Sequence, residues 1–160
     1  MWGARLSSRI HAMETGNLMI DAQTAYTRER RKRRRARFAG WVLRRPGAAA
    51  SLRQLDETMG GAPPAGRRSA GLRTIELDTI VGTAECAKAR AFDSRFRPRA
   101  TSRRRWEGLW MAERRGTPLP PISVYRVGGC HYVDDGHHRV SVARALGMAS
   151  IDAEVTELTG

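Results

Sequence analysis

The stretch "GGCHYVDDGHHRVSVARALG", residues 128–147, decides how this chain is read. Gly128 and Gly129 stand between two short apolar-rich runs, Ile122 to Val127 and Cys130 to Val133, and a Gly-Gly pair supplies the positive φ that two-residue hairpin turns need. A β-hairpin is therefore predicted. After Asp134, Asp135 and Gly136 the pattern changes: Val140, Ala143 and Leu146 recur every third residue, and Gly147 follows where a helix C-cap belongs. Beyond it, "ASIDAEVTE" (149–157) alternates Ile151, Ala153 and Val155 with acids, the period of a strand. The chain thus turns from extended to helical at Asp-Gly-His-His-Arg, and back to extended a few residues after the helix.

Working outward, "GLRTIELDTIVGT" (71–83) alternates Ile75 and Leu77 with polar residues and predicts a strand over 72–78. "ARAFDSRFRP" (89–98) has neither helical nor strand period and is read as irregular. Ser102 is placed to cap a helix that runs to about Arg115, with Trp106, Leu109 and Trp110 on a core-facing side. "DETMGGAPPAGRRSAG" (56–71) lacks periodicity and reads as a linker. The segment from Leu18 to Leu43 reads as a helix whose middle carries Arg28, Arg30, Arg31, Lys32, Arg33, Arg34, Arg35 and Arg37 with Glu29 as its acid. Such a run suits a polyanion, nucleic acid or anionic lipid, and it equally suits a solvated helix. Phe38, Trp41, Val42 and Leu43 are expected to dock on the main domain. The predicted organisation is a basic, mostly helical N-terminal arm (1–55), a linker (56–71) and a small domain (72–160).

The 160 residues carry net charge +13, unevenly spread. Residues 1–71 hold 15 basic and 5 acidic side chains, and residues 72–160 hold 14 and 11. Only Lys32 and Lys88 among the 29 basic residues are lysine, which points to an arginine-favouring coding composition. Cys86 and Cys130 are far apart, with no zinc spacing, as in a reducing compartment. The first residues lack a signal-peptide core, and no apolar run has membrane-spanning length, so a cytoplasmic protein is expected.

The Asp-Gly turn carries the chemistry. A helix that starts there points its first free N–H groups, with the positive end of its dipole, at whatever lies in front, which favours an anion. Gly136 lets a phosphate approach the backbone, and Arg139 can add a bidentate contact. Asp134 and Asp135 argue differently. A carboxylate beside a phosphate calls for a bridging cation, and magnesium near Asp135 would serve; alternatively Asp135 only shapes the turn and caps the helix. For His137 and His138 the plain reading is a structural hydrogen bond at the helix start.

Residues 72–158 resemble a ParB-like N-terminal domain of the ParB/sulfiredoxin fold, in a short form with DGHHR spelled out. The residues that carry the resemblance are "IELDTIVG" (75–82) and "PLPPISVYRVGGCHYVDDGHHRVSVARALGMASIDAEV" (118–155). It implies an α/β (α+β) domain with a small mixed sheet and packed helices, preceded here by the basic helical arm. It also implies nucleotide-phosphate contacts from Gly136, His137, His138 and Arg139, with CTP, ATP or ADP and magnesium as ligand. Sulfiredoxins place a catalytic cysteine directly after the motif glycine; His137 stands there, so sulfinic-acid reduction is not expected, and Cys130 belongs to the hairpin. Partitioning ParB proteins continue into a helix-turn-helix reader, which is not expected within a sequence ending at Gly160.

The leading expectation is a nucleotide-binding regulatory module, associated with DNA through the basic arm. The alternative is a small-molecule kinase of the free-serine type, with Glu85, Asp134 or Asp135 as candidate base. A metal-dependent nuclease, less favoured, would need His131, His137, His138, Asp134 and Asp135 to converge.

Overall fold

The computed structural model describes residues 15–42 and 51–159. Its organising element is the predicted hairpin: β4 (Ile122–Val127) and β5 (Cys130–Asp135) pair antiparallel with Val127 opposite Cys130. Gly128 and Gly129 both adopt positive φ, +54° and +85°, the backbone that a twisted two-residue turn requires. α5 (His137–Ala145) then crosses over the sheet and delivers β6 (Ser150–Thr159) parallel to β4. Gly147, at φ +71°, closes the helix as predicted.

The remaining elements complete a mixed α/β fold. Strands β1 (Arg53–Gln54), β2 (Gly66–Glu76) and β3 (Ile80–Thr83) join the hairpin and β6 in one six-stranded sheet of order β1-β3-β5-β4-β6-β2. β3 runs parallel to β5, β1 parallel to β3, and β2 antiparallel to β6. The short helices α2 (Leu55–Thr58) and α3 (Cys86–Ala89) flank β1 and β3, while α1 (Leu18–Val42) and α4 (Arg103–Arg114) form a helical layer outside α5. The small mixed sheet with packed helices that the sequence predicts is the fold observed.

Strand alternation divides the core between the two faces of the sheet. Ile122, Val124, Val133, Ala153 and Val155 face α5 and pack on Val140 and Ala143, whereas Tyr132 faces the other way with Leu55 and Leu158. Phe92 and Phe96 lie fully buried in the first core, although their segment shows no period in sequence. Trp106 and Trp110, predicted as core, join Ala22, Tyr26 and Val142 in a separate cluster that fastens α1 through α4 to α5. There the Trp106 indole N–H donates to Ser141 Oγ at 2.9 Å, so burying the ring leaves no orphan donor.

Several local expectations are corrected. The stretch 56–71 is a connection only over 59–65; α2 precedes it, and Gly66 to Gly71 form the first half of β2, whose pairing with β6 continues past a bulge at Ser69/Gly71. The backbone hydrogen bonds of β6 hold this Gly-rich and Arg-rich segment extended, so its composition did not reveal it. Ser102 does precede α4 but makes no capping hydrogen bond through its side chain. Phe38, Trp41 and Val42 do not dock: they are 67%, 77% and 55% exposed. Leu43 lies outside the described residues. No helix among the described residues is long and apolar enough to cross a membrane.

Candidate functional site

β5 ends at Asp135, Gly136 turns the chain at φ +104° and ψ +16°, and α5 begins at His137. A Cβ on Gly136 would lie 2.8 Å from Ile122 Cβ and 3.2 Å from Arg139 Nε. Packing against β4 and the left-handed backbone therefore require glycine here, rather than only the approach of a ligand. The N–H of Val140 bonds back to the carbonyl of Gly136 at 3.0 Å, which leaves those of His137, His138 and Arg139 as the outward-pointing donors of the first turn.

The four side chains of the motif do different things. Arg139 is held in place: Nη1 donates to the carbonyl of Pro121 at 2.7 Å and to that of Pro120, and Nη2 pairs with Asp135 Oδ2 at 2.6 Å. It clamps the turn to the proline-led entry of β4. His137 is buried, with Nε2 2.7 Å from Thr83 Oγ1 and its ring stacked on Phe92 at a centroid distance of 5.9 Å. The structural hydrogen bond anticipated for the pair is thus made by His137. His138 packs edge-on against Phe92 at 5.1 Å, and its Nε2 is buried without a hydrogen-bond partner.

In front of the helix start lies a cleft of about 310 Å³ lined by Lys88, Arg105, Pro120, Leu109 and the turn itself. Neither Lys88 on α3 nor Arg105 in the first turn of α4 has an ion-pair partner among the described residues. Their field is felt nearby. Burial first, then Lys88 and His138, hold His137 down to about 4; burial, then Arg105 and Lys88, do the same to His138. Both rings are neutral at pH 7, so the positive character of the cleft comes from the lysine, the arginine and the helix N-terminus.

The candidate carboxylates separate. Asp135 is at the cleft with its side chain 70% exposed, ion-paired to Arg139, while Asp134, exposed at the register break between β4 and β5, is not part of the cleft lining. Glu85 is exposed just before α3, and its carboxylate is not part of the cleft lining. His131 is remote: its Nδ1 bonds Thr79 Oγ1 at 2.8 Å, in a separate groove with Arg68, Arg73 and Arg126. The convergence that a nuclease would need is not formed, and no group of three His, Cys, Asp or Glu side chains suited to a metal ion occurs among the described residues. The reason is that His131 is engaged by Thr79 in the other groove, His137 is turned inward to Thr83, and Asp134 does not line the cleft.

The basic residues of α1 also divide. Arg28, Arg30, Arg31, Arg34, Arg35 and Arg37 are exposed, and Lys32 pairs with Glu29 at 2.6 Å. Arg33 is buried and donates to the carbonyls of Arg97 (3.1 Å) and Ala91 (3.5 Å), so it anchors the helix and is withdrawn from any nucleic-acid contact.

Lys88, Arg105, Thr83 and Phe92 were not singled out from sequence. Lys88 alone carried a signal, as one of two lysines in a chain whose default cation is arginine.

Comparison with known proteins adds little to this geometry. No family model matches the chain, and no curated protein matches it. Among solved structures it is similar to the crystal structure of sulfiredoxin from Arabidopsis thaliana, at 21% identity and a TM-score of 0.40, over 52% of this chain and 82% of that one. At this distance the likeness carries no argument about chemistry.

Proposed function

We propose that this protein is a nucleotide-phosphate-binding module of the ParB/sulfiredoxin type, with α1 as a contact for nucleic acid. The observation that carries the reading is the cleft before α5, in which three free main-chain N–H groups face the same space as Lys88 and Arg105. Lysine there acts as a point charge on phosphate oxygens, and the neutral histidines take no charge from it. Arg139 keeps the turn in shape, a role that needs no contact with the ligand. Magnesium fits as a companion of the nucleotide: Asp135 supplies one exposed carboxylate and phosphate oxygens would supply the rest.

A small-molecule kinase is the second reading, favoured by the position of Asp135 at the mouth of the cleft. Its carboxylate is engaged by Arg139, which blunts it as a base and leaves binding the better reading.

Calorimetric titration with CTP, ATP and ADP in magnesium tests both. One nucleotide should bind, and Lys88→Ala should weaken it about ten- to hundredfold, the scale of a charge-assisted hydrogen bond. CTP preference favours the regulatory module, and ATP or ADP preference favours the kinase. Binding that ignores Lys88→Ala, or no binding of any nucleotide, would overturn the assignment of the cleft.

A further inference from the structure

The two halves of α1 have different fates. Ala22, Tyr26, Glu29 and Arg33, spaced three and four residues apart, face the domain and are buried. From Arg34 onward the helix projects beyond these contacts. Continuing from the exposed Arg30 and Arg31, residues Arg34, Arg37 and Trp41 share one stripe of this end, and Arg35, Phe38 and Val42 share the next. Cations and aromatic rings therefore lie on the same faces, and the Phe38 and Trp41 rings sit 6.0 Å apart at the tip.

We infer that the projecting end of α1 is a binding surface for single-stranded nucleic acid, with phosphates on the arginines and unstacked bases on Trp41 and Phe38. Two observations select this partner. A helix that lies on a membrane segregates its apolar face from its cationic one, whereas here each stripe mixes the two. A duplex could use the arginines, but its bases are already stacked and offer nothing to two exposed rings, whereas a single strand presents a π-face at every base. Arg104 and Arg105, exposed where α4 begins beside the docked half of α1, extend the positive surface toward the cleft, while Arg103 is paired with Glu107.

The inference rests on reading α1 as a nucleic-acid contact, and its test separates the two. Fluorescence anisotropy of the full chain is measured with a labelled oligo-thymidine strand, an oligo-uridine strand and a duplex of equal length, over a salt series. Single strands should bind tighter than the duplex. Phe38→Ala with Trp41→Ala should weaken them about tenfold or more and leave the salt slope unchanged, and Trp41→Phe should restore part of the loss. Arg34→Ala and Arg37→Ala should each lower the slope by about 0.7. If strand binding survives loss of both rings, or the duplex binds equally well, the single-strand inference fails while the basic contact stands. If no nucleic acid binds and vesicles of phosphatidylglycerol and phosphatidylcholine do, both fail.

Discussion

His137 and His138 are the residues whose surroundings most change their chemistry. Each is held at about 4 in the folded chain, against 6.5 for an unperturbed imidazole, mainly by burial. Between those values the unfolded chain takes up protons that the folded one refuses, so stability is full above about pH 6.5 and falls as pH drops toward 4. The slope is at most about 1.4 kcal/mol per pH unit for each histidine. Urea midpoints measured from pH 7 to pH 5 should fall, and His138→Gln should flatten the fall. A midpoint insensitive to pH would mean the rings are solvated. At this scale much of the site was legible: the turn, its glycine and the helix start follow from Asp135-Gly136 and the period after it. The inward commitment of Arg139 was not, because Pro120 and Pro121 lie in the loop before β4 and nothing local indicates that their carbonyls need a donor.

Among the elements, α1 shows how a helix can be placed correctly and faced wrongly. Its span matched expectation, yet the predicted docking of Phe38 and Trp41 failed. The buried stripe of Ala22, Tyr26, Glu29 and Arg33 ends there; its next positions, Ala36 and Gly40, are only partly covered, and the large rings lie off that stripe. Size and hydrophobicity suggested burial, and helical phase overruled them. The anchor is Tyr26, which packs on Trp106 at 5.5 Å and donates its hydroxyl to the carbonyl of Arg99 at 2.8 Å. Tyr26→Ala should cost about 3 kcal/mol, as aromatic truncations in cores do, and should expose α1 to proteolysis. An unchanged denaturant midpoint would show that α1 contributes no stability through this contact.

Across the whole molecule, the cleft exists because the fold brings three distant segments together. Lys88 comes from α3, Arg105 from the start of α4, and the N–H donors from the turn after β5. An anion that bridges them should stabilise the entire fold by linkage, by about 2.7 kcal/mol at a hundredfold excess over Kd. For a chain of this size that is a rise in Tm of about 5–10 °C. Thermal melting with the nucleotide chosen by calorimetry should show it, and Lys88→Ala should remove it; a Tm unmoved at saturating nucleotide would exclude preferential binding to the folded chain. The long strand β2, the core roles of Phe92 and Phe96, and the burial of Arg33 belong to the same scale.

What the amino-acid sequence determined by itself is everything set by neighbours a few residues apart: the Gly128-Gly129 hairpin, the helix opened by Gly136 and closed by Gly147, the strand after it, the helical span of α1 and the apolar face of α4. Backbone sterics and hydrophobic period act over such distances and can be read along the chain. Only the tertiary structure decided which cations meet the helix N-terminus, which arginines are consumed as anchors and which aromatic rings are left outside. Those outcomes depend on the packing of elements tens of residues apart, where helical phase and sheet order decide, and no local preference encodes either.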